Sequence, residues 1–232
     1  KGYDSTRYGE PLWLRGNNRF RPDEPDVGNA NVGRMQHSCT KRVRLFPARP
    51  FFGLPFLEVL FMKVLPQQLR LYAVTDRTWL NGRRLADVVA QAIDGGGTFV
   101  ELREKCLDEH DLLAEAEELS ALCHFRHVPF VIDDNVEVAL AAGADGVHVG
   151  QSDMAAKRAR ALLGPDKILG VSAHNAAEAL AAQADGADYL GCGAAFVTGT
   201  KLDAHPVTAE TMRAVTAAVN IPVVAIGGID GA

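Results

Sequence analysis

From Leu69 onward the chain alternates short β-branched or aliphatic runs with longer amphipathic stretches rich in Ala, Leu and Glu, and this alternation constrains the fold more than any other feature. Strands of a parallel sheet are covered on both faces by crossover helices, so they read as near-continuous apolar runs separated by helical patterns. Seven such strands can be placed, in LRLYAVT, TFVELR, PFVID, GVHV, ILGVS, YLGCG and PVVAIG. Helices are predicted to begin near Leu85, Asp111, Val136, Met154, Ala176 and Thr208. Within the pattern, AGADGVHVG and ADGADYLGCG repeat a Gly-Ala-Asp triplet 43 residues apart, about two βα units. Serial repetition of one unit favours a (β/α)8 TIM barrel over an open doubly wound sheet, whose strand order must reverse. The expected fold class is therefore α/β, a TIM barrel. Because AIGGIDGA follows the seventh strand and ends the sequence, the expectation is a barrel truncated after strand seven.

Residues 1–61 lack either periodicity and carry Pro, Arg, Asn and Gly, so they are expected to form an irregular or disordered extension, with the barrel domain over 62–232. Asp4, Glu10, Asp23, Glu24 and Asp26 in that extension argue against a transit peptide. A net charge of −5 with scattered Lys and Arg gives no electrostatic footprint for nucleic acid, which points to small-molecule partners. The longest apolar stretch, RPFFGLPFLEVLF, is interrupted by Gly53, Pro55 and Glu58, too early for a membrane span of roughly 20 residues. Without a secretory signal either, a cytoplasmic location is expected. The four cysteines lie far apart and are expected to be reduced, mostly buried thiols.

Active sites of barrels sit on the loops after the strand carboxyl ends, so those positions can be read in order. Strand two runs into Glu101, Leu102, Arg103, Glu104 and Lys105; strand three ends in Asp133 and Asp134. Strand four leads to Asp153, strand five to Ser172 and His174, strand six to Thr198, Gly199, Thr200 and Lys201, and strand seven to Gly227 and Gly228. Arg103 and Lys105 alternate, so both can face one side, where either carboxylates or a polyanionic ligand must neutralise them. TGTK offers hydroxyls and a cation suited to phosphate oxygens, or is a solvated loop; the glycines of IGGI either bring backbone N–H groups to a phosphate or make a tight turn. Asp134 and Asp153, at the ends of adjacent strands, can share a hard cation such as Mg²⁺. The competing reading makes them helix caps, with Asp153 as N-cap of a helix starting at Met154. His148, in a buried strand, is expected to be a core residue with a satisfied nitrogen, and His174 a possible ligand contact.

Taken together, LYAVTDRTWL, ELREK, FVIDDNVEVALAAGADGVHVGQSDM, ILGVSAH, YLGCGAAFVTGTKLDA and IPVVAIGGI resemble the thiamine phosphate synthase family from about Met62 onward. The resemblance implies a (β/α)8 barrel that joins 4-amino-2-methyl-5-hydroxymethylpyrimidine diphosphate to 4-methyl-5-(2-phosphooxyethyl)thiazole, releasing pyrophosphate with the aid of Mg²⁺. It places the pyrimidine diphosphate on Glu101 to Lys105 with Arg103 and Lys105 facing the diphosphate, and makes Asp134 and Asp153 the metal ligands. It puts Asp133 against the pyrimidine, adds Ser172 and Lys201 to the diphosphate site, and assigns the thiazole phosphate to Thr198, Gly199, Thr200 and Gly228. The family usually has Gln where Glu101 stands and Asn where Asp133 stands. Each change adds a negative charge beside a site for a polyanion, so weaker diphosphate binding or a shifted pH optimum is expected. A thiazole tautomerase-like isomerase is the nearest alternative; an inactive fragment or a ligand-binding regulatory protein is the alternative from another class.

Overall fold

The computed structural model describes residues 62–196 and 206–229. The proposed extension over 1–61 and the TGTK segment therefore lie outside the described residues. Seven strands form one parallel sheet in which each lies beside its predecessor: β1 (Tyr72–Val74), β2 (Phe99–Leu102), β3 (Phe130–Asp133), β4 (Gly146–Val149), β5 (Ile168–Ser172), β6 (Tyr189–Gly193) and β7 (Val223–Ile226). Crossovers are made by α1 (Leu85–Asp94), α2 (Glu109–Phe125), α3 (Val136–Ala141), α4 (Ala156–Leu163), α5 (Ala176–Ala184) and α6 (Ala209–Ala218). A strand order that never reverses removes the doubly wound alternative.

The sheet is rolled. In a flat sheet β1 and β6 would be about 24 Å apart, and β2 and β6 about 19 Å. Instead the hydroxyls of Tyr72 on β1 and Tyr189 on β6 are 2.7 Å apart, and the rings of Phe99 on β2 and Tyr189 lie 5.6 Å between centroids. Two separate apolar clusters follow from this curvature. Phe99, Val131, Ile168 and Tyr189 meet inside the roll, where Val64 and Leu69 join them. Val100, Leu102, Phe130, Ile132, Val147, Val149, Leu169, Leu190 and Cys192 face outward and pack on the helices through residues such as Leu119, Cys123, Ala159, Ala179 and Val215. Strict alternation along every strand thus divides the sequence into an inner and an outer set.

Most helix starts carry a side-chain cap: Asp108, Asn135, Asn175 and Thr208 accept from the backbone N–H three residues on, at 2.9–3.1 Å. Helix α4 does not. It starts at Ala156 behind Ala155, with no side-chain cap. The helix expected near Met154 starts two residues later, and the competing reading of Asp153 as its cap does not hold, since the Asp153 carboxylate accepts instead from the Gly150 N–H at 2.8 Å. The Gly-Ala-Asp echo has a shared cause. Asp145 Oδ2 accepts from the Phe130 N–H and Asp188 Oδ2 from the Leu169 N–H, both at 2.8 Å, so each aspartate fixes the start of the preceding strand at the end of the sheet away from the loops discussed below. No described helix is long and apolar enough to cross a membrane.

Candidate active site

The carboxyl ends of β2, β3, β4 and β5 bring a charged cluster together. Its register is set by β2, where Phe99 and Glu101 face inward and Val100 and Leu102 outward, so Arg103 and Lys105 continue the inward side past the strand end. A Thr75 hydroxyl holds this exit by accepting from the Arg103 N–H at 2.9 Å. Lys105 Nζ lies 2.8 Å from Asp133 Oδ2 and also bonds the Asp134 carboxylate, while Arg103 Nε is 3.7 Å from Asp133 Oδ2. The two inward cations are therefore met by carboxylates. Burial pulls the Lys105 ammonium down, but its two carboxylate partners outweigh this and raise its pKa.

Asp134 occupies a left-handed conformation, φ 62°, which an aspartate tolerates better than most residues, and its N–H donates to the His148 carbonyl at 2.7 Å. That bond ties the loop after β3 to β4. The Asp134 and Asp153 carboxyl groups are close enough for each to shift the ionisation of the other. Burial opposes ionisation of Asp134, but Lys105 and the neighbouring Asp153 carboxyl hold its own carboxyl below the ordinary range. Burial and the neighbouring Asp134 carboxylate push Asp153 up. Two neighbouring acids at the mouth of a rolled sheet are a donor set of hard oxygens, whose mutual repulsion a divalent cation would offset. Asp108, His110 and Asp111 also place three ligand atoms within 4.8 Å, but all three are exposed at the start of α2, where Asp108 serves as the cap.

Beneath this cluster the interior is polar. Glu101 is only 5% exposed, and its Oε2 lies 2.5 Å from the Tyr72 hydroxyl. Tyr72 meets the Tyr189 hydroxyl at 2.7 Å, Tyr189 meets His148 Nδ1 at 3.1 Å, and His148 Nε2 meets Ser172 Oγ at 3.0 Å. Both nitrogens of the buried His148 thus have partners. Burial raises the Glu101 pKa, opposed by His148 and reinforced by Asp133. A carboxyl whose folded pKa lies above its unfolded value contributes its stability fully below the unfolded pKa, and that stability is lost as pH rises through the folded pKa. Glu101→Gln is therefore expected to melt close to the parent at acid pH and above it at alkaline pH, by about 2–4 °C for each ~1 kcal/mol. Thermal melts of both proteins across pH check this; a difference that stays constant or shrinks as pH rises contradicts it.

Not every predicted site residue reaches the mouth. Leu102 is buried in the outer core, and the Glu104 carboxylate turns aside to accept from Arg77 Nε at 2.6 Å and from the N–H groups of Lys105 and Cys106. Glu104 thereby shapes the loop that carries Lys105. His174 pairs with Glu178, Nδ1 to Oε2 3.0 Å, at the start of α5. Gly227 and Gly228, after β7, have φ of 95° and 64°, and a Cβ on Gly227 would lie 2.8 Å from the Ala194 Cβ. Both positions require the left-handed backbone that glycine adopts readily. Of the three described cysteines, Cys123 and Cys192 are buried and Cys106 is exposed, all as free thiols. Sequence reading did not anticipate Tyr72 and Tyr189. Their signal was the alternating glycines of ILGVS and YLGCG, since inward Gly170 and Gly191 mark where large neighbours need room.

Residues 71–232 match the model of the family described as thiamine monophosphate synthase. The chain belongs to that family. Among its relatives is the thiamine-phosphate synthase of Chloroflexus aurantiacus, 51% identical over 164 residues, which span 70% of this chain and 76% of that protein. The thiamine-phosphate synthase of Clostridium tetani is 48% identical over 160 residues, 69% of this chain and 77% of that protein. Among solved structures, thiamine phosphate pyrophosphorylase from Pyrococcus furiosus is 38% identical with a TM-score of 0.64, covering 71% of this chain and 77% of that one.

Proposed function

We propose that this protein is a thiamine phosphate synthase, a transferase that condenses the pyrimidine diphosphate with the thiazole phosphate to give thiamine phosphate and pyrophosphate. The observation that carries the reading is the grouping of Arg103, Lys105, Asp134, Asp153 and Ser172 at one mouth of the sheet, in a chain matched to the family from residue 71 onward. We take the rolled sheet over 62–232 to be seven strands of a (β/α)8 barrel truncated after strand seven, with 1–61 as a separate extension.

In this reading Arg103 and Lys105 bind the diphosphate, with Lys201 and Ser172 beside it, and Thr198, Gly199, Thr200 and Gly228 hold the thiazole phosphate. Asp134 and Asp153 would hold Mg²⁺, whose charge, when it is bound, offsets the charge that develops on the departing pyrophosphate. Departure of pyrophosphate from the pyrimidine methylene leaves a cationic carbon that the thiazole nitrogen captures. That chemistry needs preorganised cations around the leaving group more than it needs a general base. It suits a site whose inward groups are Arg103, Lys105 and paired acids. Synthase is favoured over tautomerase because an isomerase acting on the thiazole phosphate has no use for a second anion site built on Arg103 and Lys105. Calorimetric titration with pyrophosphate separates the two: binding that requires Mg²⁺ is expected, and no binding in its presence contradicts the synthase reading.

Asp133 modifies the account of the two unusual acids. Its carboxylate already occupies Lys105 and approaches Arg103, so it competes with the diphosphate for both cations. Glu101 is buried and shifted toward its neutral form, which makes it a closer substitute for an amide. Asp133→Asn is therefore expected to lower the KM for the pyrimidine diphosphate by about tenfold, the effect of ~1.4 kcal/mol, whereas Glu101→Gln changes it by less than about twofold near neutral pH. Steady-state kinetics of the two variants side by side check the contrast; equal effects would remove it.

A further inference from the structure

The exits of β1 and β2 are held together at two successive levels. Thr75, just past β1, accepts from the Arg103 N–H at 2.9 Å, and two residues further on Arg77 Nε donates to Glu104 Oε2 at 2.6 Å. We propose that Arg77 is a positioning residue for the diphosphate site: through Glu104 it fixes the loop that presents Lys105, and it keeps the Glu104 carboxylate out of the mouth. The consequence for binding rests on the reading of Arg103 and Lys105 as diphosphate contacts; the hold on the loop does not.

Both oxygens of Glu104 are committed. Oε1 accepts from the N–H groups of Lys105 at 2.9 Å and Cys106 at 3.0 Å, so one oxygen closes the turn that follows Arg103 while the other takes Arg77. The far side of the guanidinium donates from Nη2 to Glu115 Oε2 at 2.6 Å, on α2. Arg77 therefore spans the loop, with one arm at its start and the other on the helix it leads into. A planar guanidinium offers donors in two fixed directions, which the single ammonium of a lysine cannot match. Arg77 is itself placed by Asp76, whose carboxylate caps the short turn Arg77–Trp79 by accepting from the Thr78 N–H at 2.9 Å and the Thr78 hydroxyl at 2.6 Å.

Burial separates this contact from an ordinary surface ion pair, which contributes little. The Glu104 side chain is only 4% exposed, and a carboxylate so enclosed needs its charge met. Without Arg77 the next cations along the chain are Arg103 and Lys105, and a Glu104 carboxylate that turns to them competes with the anion they are read to bind. Loop shape and charge thus act in one direction: loss of Arg77 weakens pyrophosphate binding. Arg84 and Glu118 provide the contrast. They also join the start of α1 to α2, but their side chains are 68% and 48% exposed and the pair links helix to helix.

Amide hydrogen exchange at Lys105 and Cys106, followed by NMR on the full chain, reads the hold on the loop, and calorimetric titration with pyrophosphate in Mg²⁺ reads its consequence. Arg77→Ala is expected to speed exchange at both amides by about tenfold and to weaken pyrophosphate by about tenfold, whereas Arg84→Ala changes each by less than about twofold. In a Glu104→Gln background, whose side-chain oxygen still accepts from both N–H groups but carries no charge, Arg77→Ala should weaken pyrophosphate by less than about threefold, because the two residues act as a unit. Should Arg77→Ala not fold, Arg77→Lys, which keeps the charge but only one arm, takes its place with about threefold expected on each readout. Exchange within twofold of the parent overturns the proposal, whether or not pyrophosphate binds. So does pyrophosphate affinity that Arg77→Ala leaves unchanged, or lowers equally in both backgrounds. A parent that binds no pyrophosphate in Mg²⁺ contradicts the synthase reading instead, and exchange then still decides whether Arg77 holds the loop.

Discussion

Asp134→Asn is expected to cut magnesium-dependent turnover by about 10²–10³-fold while the protein keeps its fold. The substitution isolates charge from conformation. Asp134 sits at φ 62°, which Asn adopts as readily as Asp, and its backbone N–H, which bonds the His148 carbonyl, is untouched. What is lost is one of the two carboxylates that could hold a cation against the departing pyrophosphate, together with one partner of Lys105. Thermal melts should stay near the parent, and added Mg²⁺ should restore little of the activity. Turnover within about threefold of the parent would remove Asp134 from the metal site and leave its acid pair with Asp153 without a role.

The largest structural effect is expected from Gly170→Ala. Gly170 faces inward on β5, and a Cβ there would lie 2.2 Å from Tyr189 Cζ and 2.5 Å from His148 Nδ1. Neither ring can simply swing aside, since Tyr189 also packs on Phe99 and bonds Tyr72, and His148 bonds Ser172. Relief has to come from the strands themselves. Overpacking of this kind costs about 3 kcal/mol, or about 6–12 °C in Tm for a domain of this size. Gly95→Ala is the control, because a Cβ at the end of α1 meets only the Gln91 and Ala92 carbonyl oxygens at 3.4–3.5 Å. Comparable melts for the two variants would show that the interior is not packed as described.

The strands were legible because burial on both faces writes them as apolar runs, and all seven predicted stretches contain one. Residue facing was legible only where alternation was applied. ELREK reads as one functional block, yet the two-residue period sends Glu101, Arg103 and Lys105 inward and Leu102 into the helix layer, while Arg77 draws Glu104 aside. The helix after β4 starts at Ala156 rather than near Met154, and nothing local reveals that the Asp153 carboxylate, a good cap by residue type, accepts from the Gly150 N–H instead. The line from Tyr72 to Tyr189 spans 117 residues of sequence and exists only because the sheet rolls. No local pattern encodes such a contact. Glycines alternating on the inner face of β5 and β6 were its one trace.

The central claim is tested most directly by incubating the full chain with the pyrimidine diphosphate and the thiazole phosphate, in Mg²⁺ and in EDTA, and measuring thiamine phosphate and pyrophosphate. Equal amounts of the two products with Mg²⁺, and neither product in EDTA, are expected. A folded chain that binds both substrates in Mg²⁺ but forms no thiamine phosphate would contradict the synthase assignment.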